Sequence, residues 1–426
     1  MSSKKIILTT LPKEGAAIQW VAPKYFLPDD SKYIPLGLLS LATNLPKEHE
    51  AMVLDAFSNN WGLQETIERI ERENPDVLGL SSVTFSSYQM REILNRTSAP
   101  YKVVGGPHTT HNAEIILNQG ADAVFVGQLA DLEFSEAINT KPKGIVHCNT
   151  KIDQIQFPNR GFIDIENYFP KGNLFKSNRR MPMFSGVGCP HRCRFCDVQT
   201  KKTERKPPSS VLEEMIYLRD IGAGSIHVYE DNFNTDETYL REVCDEIDKR
   251  GFYSEWSGRG EAKMTLDTAR MLADRGFKRI HVGIESLSDK TLRWFRKAVN
   301  YSQIQQFCDT MNKTGIDMVG FFIVGAPTET EEDRKNMFTK IKELNIKYPL
   351  INILQPLPNT EYYHDLLRDG VYKQDYWADY IRNPTPNFMI PFPYGETKWK
   401  EDADFVEQMI HEIEKWKKER GEYYKY

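Results

Sequence analysis

The chain has 426 residues, 40% of them hydrophobic and 27% charged, with a formal net charge of −5. That length exceeds the usual single domain, so two or three domains are expected. Basic and acidic residues are interspersed, which gives no electrostatic case for a nucleic-acid or membrane partner. No run approaches the roughly 18 uncharged apolar residues that span a bilayer.

The N-terminal KKIILTT run is too brief for a signal-peptide core and no small-residue cleavage site follows it, so it reads as a buried first strand in a cytoplasmic protein. Over residues 1–140, strands are predicted at 4–10, 50–57, 76–82, 101–106 and 121–127. Helical patterns lie between them, near 36–45, 63–73, 86–97, 111–119 and 129–138. Runs such as VLGL and AVFVG lack polar alternation, as strands covered on both faces do. The order predicts an α/β domain, a doubly wound parallel sheet whose ligands bind beyond the C-terminal strand ends. Those ends carry Ser81 and Ser82, then Gly105-Gly106-Pro107-His108, then Gly127. The glycines fit either a ligand approaching the backbone closely or tight strand-to-helix turns alone.

Residues 141–180 lose the pattern and read as a linker. A second βα series occupies 181–360, with strands at 181–188, 225–232, 253–260, 279–286, 317–325 and 351–357. Six units fit a partial (βα)6 barrel, since a full eight-stranded barrel usually needs more residues. The tail, 361–426, is aromatic and ends on a helix whose Trp399, Phe405, Met409, Ile413 and Trp416 stripe reads as a packing face. Its 361–388 stretch closes the barrel bottom or lines a substrate crevice.

Six cysteines occur, at 148, 189, 193, 196, 244 and 308. In a reducing compartment clustered cysteines are metal ligands in preference to disulfides, and Cys148, Cys244 and Cys308 read as structural thiols. Cys189, Cys193 and Cys196 form a C-x3-C-x2-C loop directly after the first strand of the second series. Three thiolates suit a cubane that leaves one iron open, whereas structural zinc wants four closed ligands. His191, inside the loop, leaves a zinc site as the weaker alternative.

The loop resembles the signature of the radical S-adenosylmethionine (SAM) superfamily, including Phe195 just before the third cysteine. The resemblance implies a 4Fe–4S cluster, cleavage of SAM and a 5′-deoxyadenosyl radical. It further implies SAM contacts from Tyr229, Glu230 and Asp231 after the second barrel strand and from Arg259, which pairs with the carboxylate. Glu285 and Ser286 of a G-x-E-S motif face the ribose or methionine, and Gly325 starts the turn that receives the adenine. The loop after the sixth strand departs mildly, with Asn359 where the family usually has Gly.

The whole chain resembles the class of radical SAM enzymes with an N-terminal cobalamin-binding domain, a class that includes cobalamin-dependent methyltransferases and anaerobic Mg-protoporphyrin cyclases. The resemblance implies cobalamin contacts from Pro35, Leu36, Ser81, Ser82, Gly105, Gly106, His108, Gly127 and Gln128. The family's Gly-Glu-Gly-Glu is Gly127-Gln128-Leu129-Ala130 here, and no Asp-x-His-x-x-Gly motif supplies a lower histidine ligand. The implied function is a cobalamin-dependent C-methyltransferase. The alternative is an oxidoreductase or cyclase that keeps the domain without methyl transfer. A methylthiotransferase needs a second cysteine triad, and no cysteine precedes Cys148.

Basic residues flank the cysteine loop at Lys171, Lys176, Arg179, Arg180, Arg192, Arg194, Lys201, Lys202, Arg205 and Lys206. They form a solvated surface, a docking patch for an acidic flavodoxin or ferredoxin, or a site for an anionic substrate. The substrate class itself (peptide, lipid, tetrapyrrole or small metabolite) is not written in the sequence.

Overall fold

The computed structural model describes residues 3–18, 32–169, 179–198 and 200–421. The chain forms two compact units. The first comprises residues 1–19, 30–170 and 373–391. Its strands are β1 (Lys5–Thr10), β2 (Glu50–Asp55), β3 (Val77–Ser81), β4 (Lys102–Gly105), β5 (Ala123–Val126) and β6 (Gly144–His147). Helices α1 (Leu36–Thr43), α2 (Leu63–Glu73), α3 (Ser87–Arg96), α4 (Thr109–Asn118) and α5 (Asp131–Thr140) connect them. The strands pair in parallel in the order β2-β1-β3-β4-β5-β6.

Successive side chains of a strand point to opposite faces, and here both faces are dry. Ile6 and Leu8 join one apolar cluster with Leu39, Val53, Val103 and Phe134. Ile7 joins another with Leu78, Leu80, Ile93, Val104 and Val124. Each fully buried side chain of this kind contributes about 1.5–3 kcal/mol, which is why the strand runs show no polar alternation. The strand order reverses at β1, and the crevice beyond the C-terminal ends of β1 and β3 is the ligand position that such sheets favour.

The stretch expected as a linker is largely structured. Residues 144–147 form β6 against β5, and the Tyr168 hydroxyl donates to the buried Asp55 carboxylate at 2.6 Å. The run GIVH is too short and too polar-flanked to announce a strand. Lys171 and Lys176 lie outside the described residues. The aromatic tail also divides. The helix at Tyr376–Arg382 belongs to the first unit, where Trp377 packs edge-on against Phe85 with ring centres 5.4 Å apart.

The second unit contains β7 (Arg180–Met183), β8 (Gly186–Val187), β9 (Glu204–Arg205), β10 (Ser225–Val228), β11 (Trp256–Glu261), β12 (Phe277–Glu285), β13 (Asp317–Val324) and β14 (Tyr348–Ile353). Its crossover helices are α6 (Pro208–Asp220), α7 (Glu237–Lys249), α8 (Leu266–Asp274), α9 (Asp289–Phe295), α10 (Tyr301–Thr314) and α11 (Glu331–Glu343). Then come α12 (Glu361–Arg368), α13 (Tyr376–Arg382), which belongs to the first unit, and α14 (Gly395–Glu419). Strands β7 and β10–β14 make one parallel sheet in sequential order, the expected six βα units. In β12, Ile280, Val282 and Ile284 are fully buried, while Arg279 and His281 line the opposite, partly open face. Helix α14 packs along β14 at the sheet's edge and against α11, where Trp416 lies edge-on to Phe338.

Candidate active site

The expected first barrel strand splits in two, and the split frames the cysteine loop. Strands β8 and β9 form a two-residue antiparallel ladder, Gly186 opposite Arg205 and Val187 opposite Glu204. The loop between them is closed further by the Cys189 N–H, which donates to the Thr200 carbonyl at 3.0 Å. Gly188 takes a left-handed backbone, φ +87°, and its N–H donates to Asp231 at 3.1 Å. Neighbouring elements fix the rest. The Arg194 N–H donates to the Phe295 carbonyl at 3.1 Å, and the Arg194 carbonyl accepts from Tyr362 at 3.0 Å. The Arg194 guanidinium pairs with Asp365 and Glu361, and Phe195 packs edge-on against Phe295 at 5.2 Å. His191 is hydrogen-bonded to Glu261 at the end of β11.

Cys189, Cys193 and Cys196 lie on this one braced loop, and each of the other two thiols bears on the ionisation of Cys193. Burial pushes the Cys193 thiol up to about 11, against the pull of Lys297. Burial raises Cys196 as well, against the Val198 N–H and Lys201. Thiols that burial keeps protonated, as at Cys193 and Cys196, become thiolates when a cationic centre takes them, and three soft sulfur donors suit iron–sulfur chemistry. The donor set fits a 4Fe–4S cluster.

The strand ends around this loop carry the residues expected to meet SAM. Tyr229 is partly exposed, and the Arg259 guanidinium lies 4.2 Å from the centre of its ring. The buried Nε of Arg259 has no hydrogen-bond partner, and among the described residues no carboxylate pairs with this arginine. A half-buried guanidinium with an unbonded Nε and no carboxylate partner fits an anionic ligand oxygen. Glu230 is placed differently from Tyr229. It is 5% exposed and already held by Arg205 and by the Ser185 hydroxyl at 2.8 Å, so it fastens β9 to β10. Asp231 tethers the loop through Gly188. Glu285 is buried with Lys297, a residue that the sequence reading passed over. Ser286 is buried too and accepts from the Ser288 N–H at 3.2 Å. Gly325 is left-handed, φ +89°, and a Cβ there would lie 2.9 Å from Asp402 of α14. Asn359 adopts φ +64°, the conformation that Asn accepts in place of Gly.

Below this rim the sheet's open face is cationic. The His227 and His281 rings lie 4.7 Å apart. Burial, with Arg180, Arg259 and Arg279 nearby, holds both imidazoles well below their usual range, so they are neutral.

In the first unit the strand-end glycines separate by role. A Cβ on Gly105 would meet nothing within 4 Å. One on Gly106, where φ is +97°, would lie 2.7 Å from the Ser82 carbonyl oxygen, and one on Gly127 would lie 2.7 Å from Cys148 Cβ. Gly106 and Gly127 therefore serve close backbone crossings, while Gly105 opens to space. Ser81 and Gln128 reach the surface and Pro35 is half-buried, whereas Leu36 and Ser82 are buried. His108 is 1% exposed and bonds Thr84 at 3.1 Å and Ser87 at 3.2 Å. It pins the loop after β4 to the segment after β3. Sequence reading missed Phe57, Val83 and Leu132, exposed apolar residues that follow β2, β3 and β5. Open backbone at Gly105, with exposed apolar side chains after other strand ends of the same sheet, fits a broad, flat ligand such as a corrin.

Comparison with known proteins agrees with both units. The Radical SAM superfamily model matches residues 183–341, and the B12 binding domain model matches residues 29–132. An uncharacterized methyltransferase of Pyrococcus horikoshii is 24% identical over 412 residues, 89% of this chain and 87% of that protein. The hopanoid C-2 methylase of Rhodopseudomonas palustris is 24% identical over 431 residues, 93% of this chain and 75% of its own length. TsrM from Kitasatospora setae, a radical S-adenosylmethionine methyltransferase solved with tryptophan and a SAM analogue, shares the fold. Its TM-score is 0.68 at 17% identity, over 86% of this chain and 76% of that one. Among the described residues no helix is long and apolar enough to cross a membrane. The chain thus carries a B12-binding domain, at residues 29–132, ahead of a radical SAM domain, at residues 183–341.

Proposed function

We propose that the protein is a cobalamin-dependent radical SAM C-methyltransferase. The observation that carries this reading is the three-cysteine loop of the second unit, with the incompletely bonded Arg259 at the same rim, in a chain whose first unit matches the B12 binding domain. Together the bound groups supply a 5′-deoxyadenosyl radical and a transferable methyl group.

The chain's own residues position and shield. Cys189, Cys193 and Cys196 would hold the cluster, with the loop braced by Arg194, Phe195 and His191. Arg259 would fix the SAM carboxylate, with Tyr229 holding the guanidinium by its ring face. The turn at Gly325 would take the adenine, and Ser286 would lie along the ribose or methionine. In the first unit, Gly105 would let the corrin approach the backbone, while Ser82, Gly106 and His108 hold the two loops beneath it. The sequence carries no Asp-x-His-x-x-Gly motif, so the first unit would hold the cofactor through its strand-end loops. Exposed basic residues near the cysteine loop would receive an acidic flavodoxin or ferredoxin as electron donor.

The test uses full-length protein reconstituted anaerobically with iron, sulfide and cobalamin, then supplied with reductant and SAM bearing a trideuterated methyl group. The expected result is 5′-deoxyadenosine together with trideuteromethyl-cobalamin. Protein that carries both groups and forms 5′-deoxyadenosine, yet never passes the label to cobalamin, is instead an oxidoreductase or cyclase.

A further inference from the structure

Lys297 sits two residues past the end of α9, beyond Arg296, whose left-handed backbone (φ +58°) ends the helix. The Lys297 N–H closes that turn by donating to the Leu292 carbonyl at 3.0 Å. The reversal sends the Lys297 side chain inward, where it is only 12% exposed. A lone buried ammonium is costly, yet its described ion-pair partner is Glu285, at 3.5 Å. An ammonium has three donors, and one loose contact leaves it incompletely compensated.

The backbone is shaped to permit this pair. Glu285 is left-handed, φ +64°, a conformation that non-glycine residues avoid. The pairing of β12 with β13 slips between Gly283 and Glu285. Together these turn the carboxylate back over Gly283. Any Cβ at Gly283 would overlap the Glu285 carboxylate and lie 3.3 Å from the Lys297 nitrogen. Glycine at 283 is therefore required by the ion pair. The turn that carries Lys297 also meets the cysteine loop: the Arg194 N–H, next to Cys193, donates to the Phe295 carbonyl at 3.1 Å, and Phe195 packs on the Phe295 ring; Glu285, Cys193 and Glu261 all favour the ammonium. Glu261 in turn holds His191 of the cysteine loop.

We infer that Lys297, opposed by Glu285, is an electrostatic positioning residue that sets how readily the cluster on Cys193 accepts an electron. The inference rests on the assignment of the three cysteines as cluster ligands. A low-potential one-electron donor adds one negative charge to the cluster and breaks no bond in doing so. A fixed cation beside one of its sulfur ligands stabilises the added charge, and a fixed anion opposes it. Lys297 thus favours reduction, and Glu285 limits the gain while making the cation tolerable in a dry site. Burial matters to this, because water would otherwise screen both charges.

The experiment is a spectroscopic redox titration of anaerobically reconstituted full-length protein without SAM, after iron and sulfide have been counted. Lys297→Met is expected to move the cluster midpoint to more negative potential, and Glu285→Gln to more positive potential. Lys297→Arg keeps the charge and is expected to restore a midpoint near the parent's. Opposed shifts are not the signature of general loosening, which would move both variants the same way. Unchanged midpoints, or shifts of one sign in both variants, overturn the inference. Weakened SAM binding in Lys297→Met without a change in midpoint also overturns it, and makes Lys297 a SAM ligand. Should Lys297→Met fail to load iron, the direction of the Glu285→Gln shift decides alone. Parent protein that holds no iron at all would instead remove the cluster assignment.

Discussion

Gly106 passes so close to Ser82 that a Cβ on it would lie 2.7 Å from the Ser82 carbonyl oxygen, whereas Gly105, one residue earlier, faces open space. The two glycines should therefore respond oppositely to substitution. Gly106→Ala meets both a left-handed backbone and a backbone clash, and should destabilise the first unit by at least about 1–2 kcal/mol. Gly105→Trp should leave folding and iron content intact, because its side chain has room, yet abolish retention of cobalamin by filling the space above the strand end. Iron and cobalamin contents of the purified variants, with thermal melts, check this. A Gly105→Trp protein that keeps its cobalamin would place the corrin elsewhere.

Arg259 supplies a second test. Its buried Nε has no partner among the described residues, and a hydrogen bond to a charged group is worth about 1.5–3 kcal/mol. Arg259→Met should weaken SAM binding to cluster-loaded protein by about 10- to 100-fold without loss of iron. Equilibrium binding of SAM measures it directly. Unchanged affinity would free Arg259 for the cationic face it shares with Arg279, His227 and His281.

His108 makes the first unit sensitive to acid. Burial lowers its imidazole to about 4, while in the unfolded chain it titrates near 6.5. Between those values the unfolded chain binds a proton that the folded chain refuses, so stability falls as pH falls. At pH 5 the loss amounts to about 2 kcal/mol relative to neutral pH. His108→Gln should lower protection at neutral pH, through its lost bonds to Thr84 and Ser87, and flatten the pH dependence. Hydrogen-exchange protection of peptides covering residues 77–118, corrected for intrinsic exchange, reads both effects.

How much of this was written in the sequence depended on how local the cause was. Strands β1 to β5 were legible because both faces of the sheet are dry and their apolar runs are uninterrupted. Strand β6 was not, since four residues with no periodicity are ordered only by the edge of β5. The cysteine loop was legible from spacing, because three thiols within eight residues are brought together by the loop alone. The pairing of Lys297 with Glu285 was not, since it requires a left-handed glutamate, a strand irregularity and a helix end to converge. His108 was legible as a residue of the right turn but not in its orientation. Which way a ring points after a tight turn is decided by Thr84 and Ser87 on another loop. Glu230 follows the same pattern: its motif position was plain, and its capture by Arg205 came from a strand 25 positions earlier in the chain.

The basic residues around the cysteine loop also sort themselves by partner, and this sharpens the last prediction. Arg205 is bound to Glu230, Arg194 to Asp365, and Lys206 is buried with Glu214 at 2.8 Å. Reversing the charge of any of these would break an internal pair, at a cost of about 3–5 kcal/mol where both partners are buried, and would say nothing about docking. Arg192 and Lys202 are exposed, and a redox partner can reach them. Arg192→Glu with Lys202→Glu should slow 5′-deoxyadenosine formation severalfold when flavodoxin is the electron donor, and leave the dithionite-driven rate near the parent's. The flavodoxin-driven rate of the parent should also fall as salt rises, because exposed charges are screened over about 8–10 Å at ordinary ionic strength, while the double variant should lose most of that salt dependence. Equal losses with both donors would show that these side chains support the loop and receive no partner.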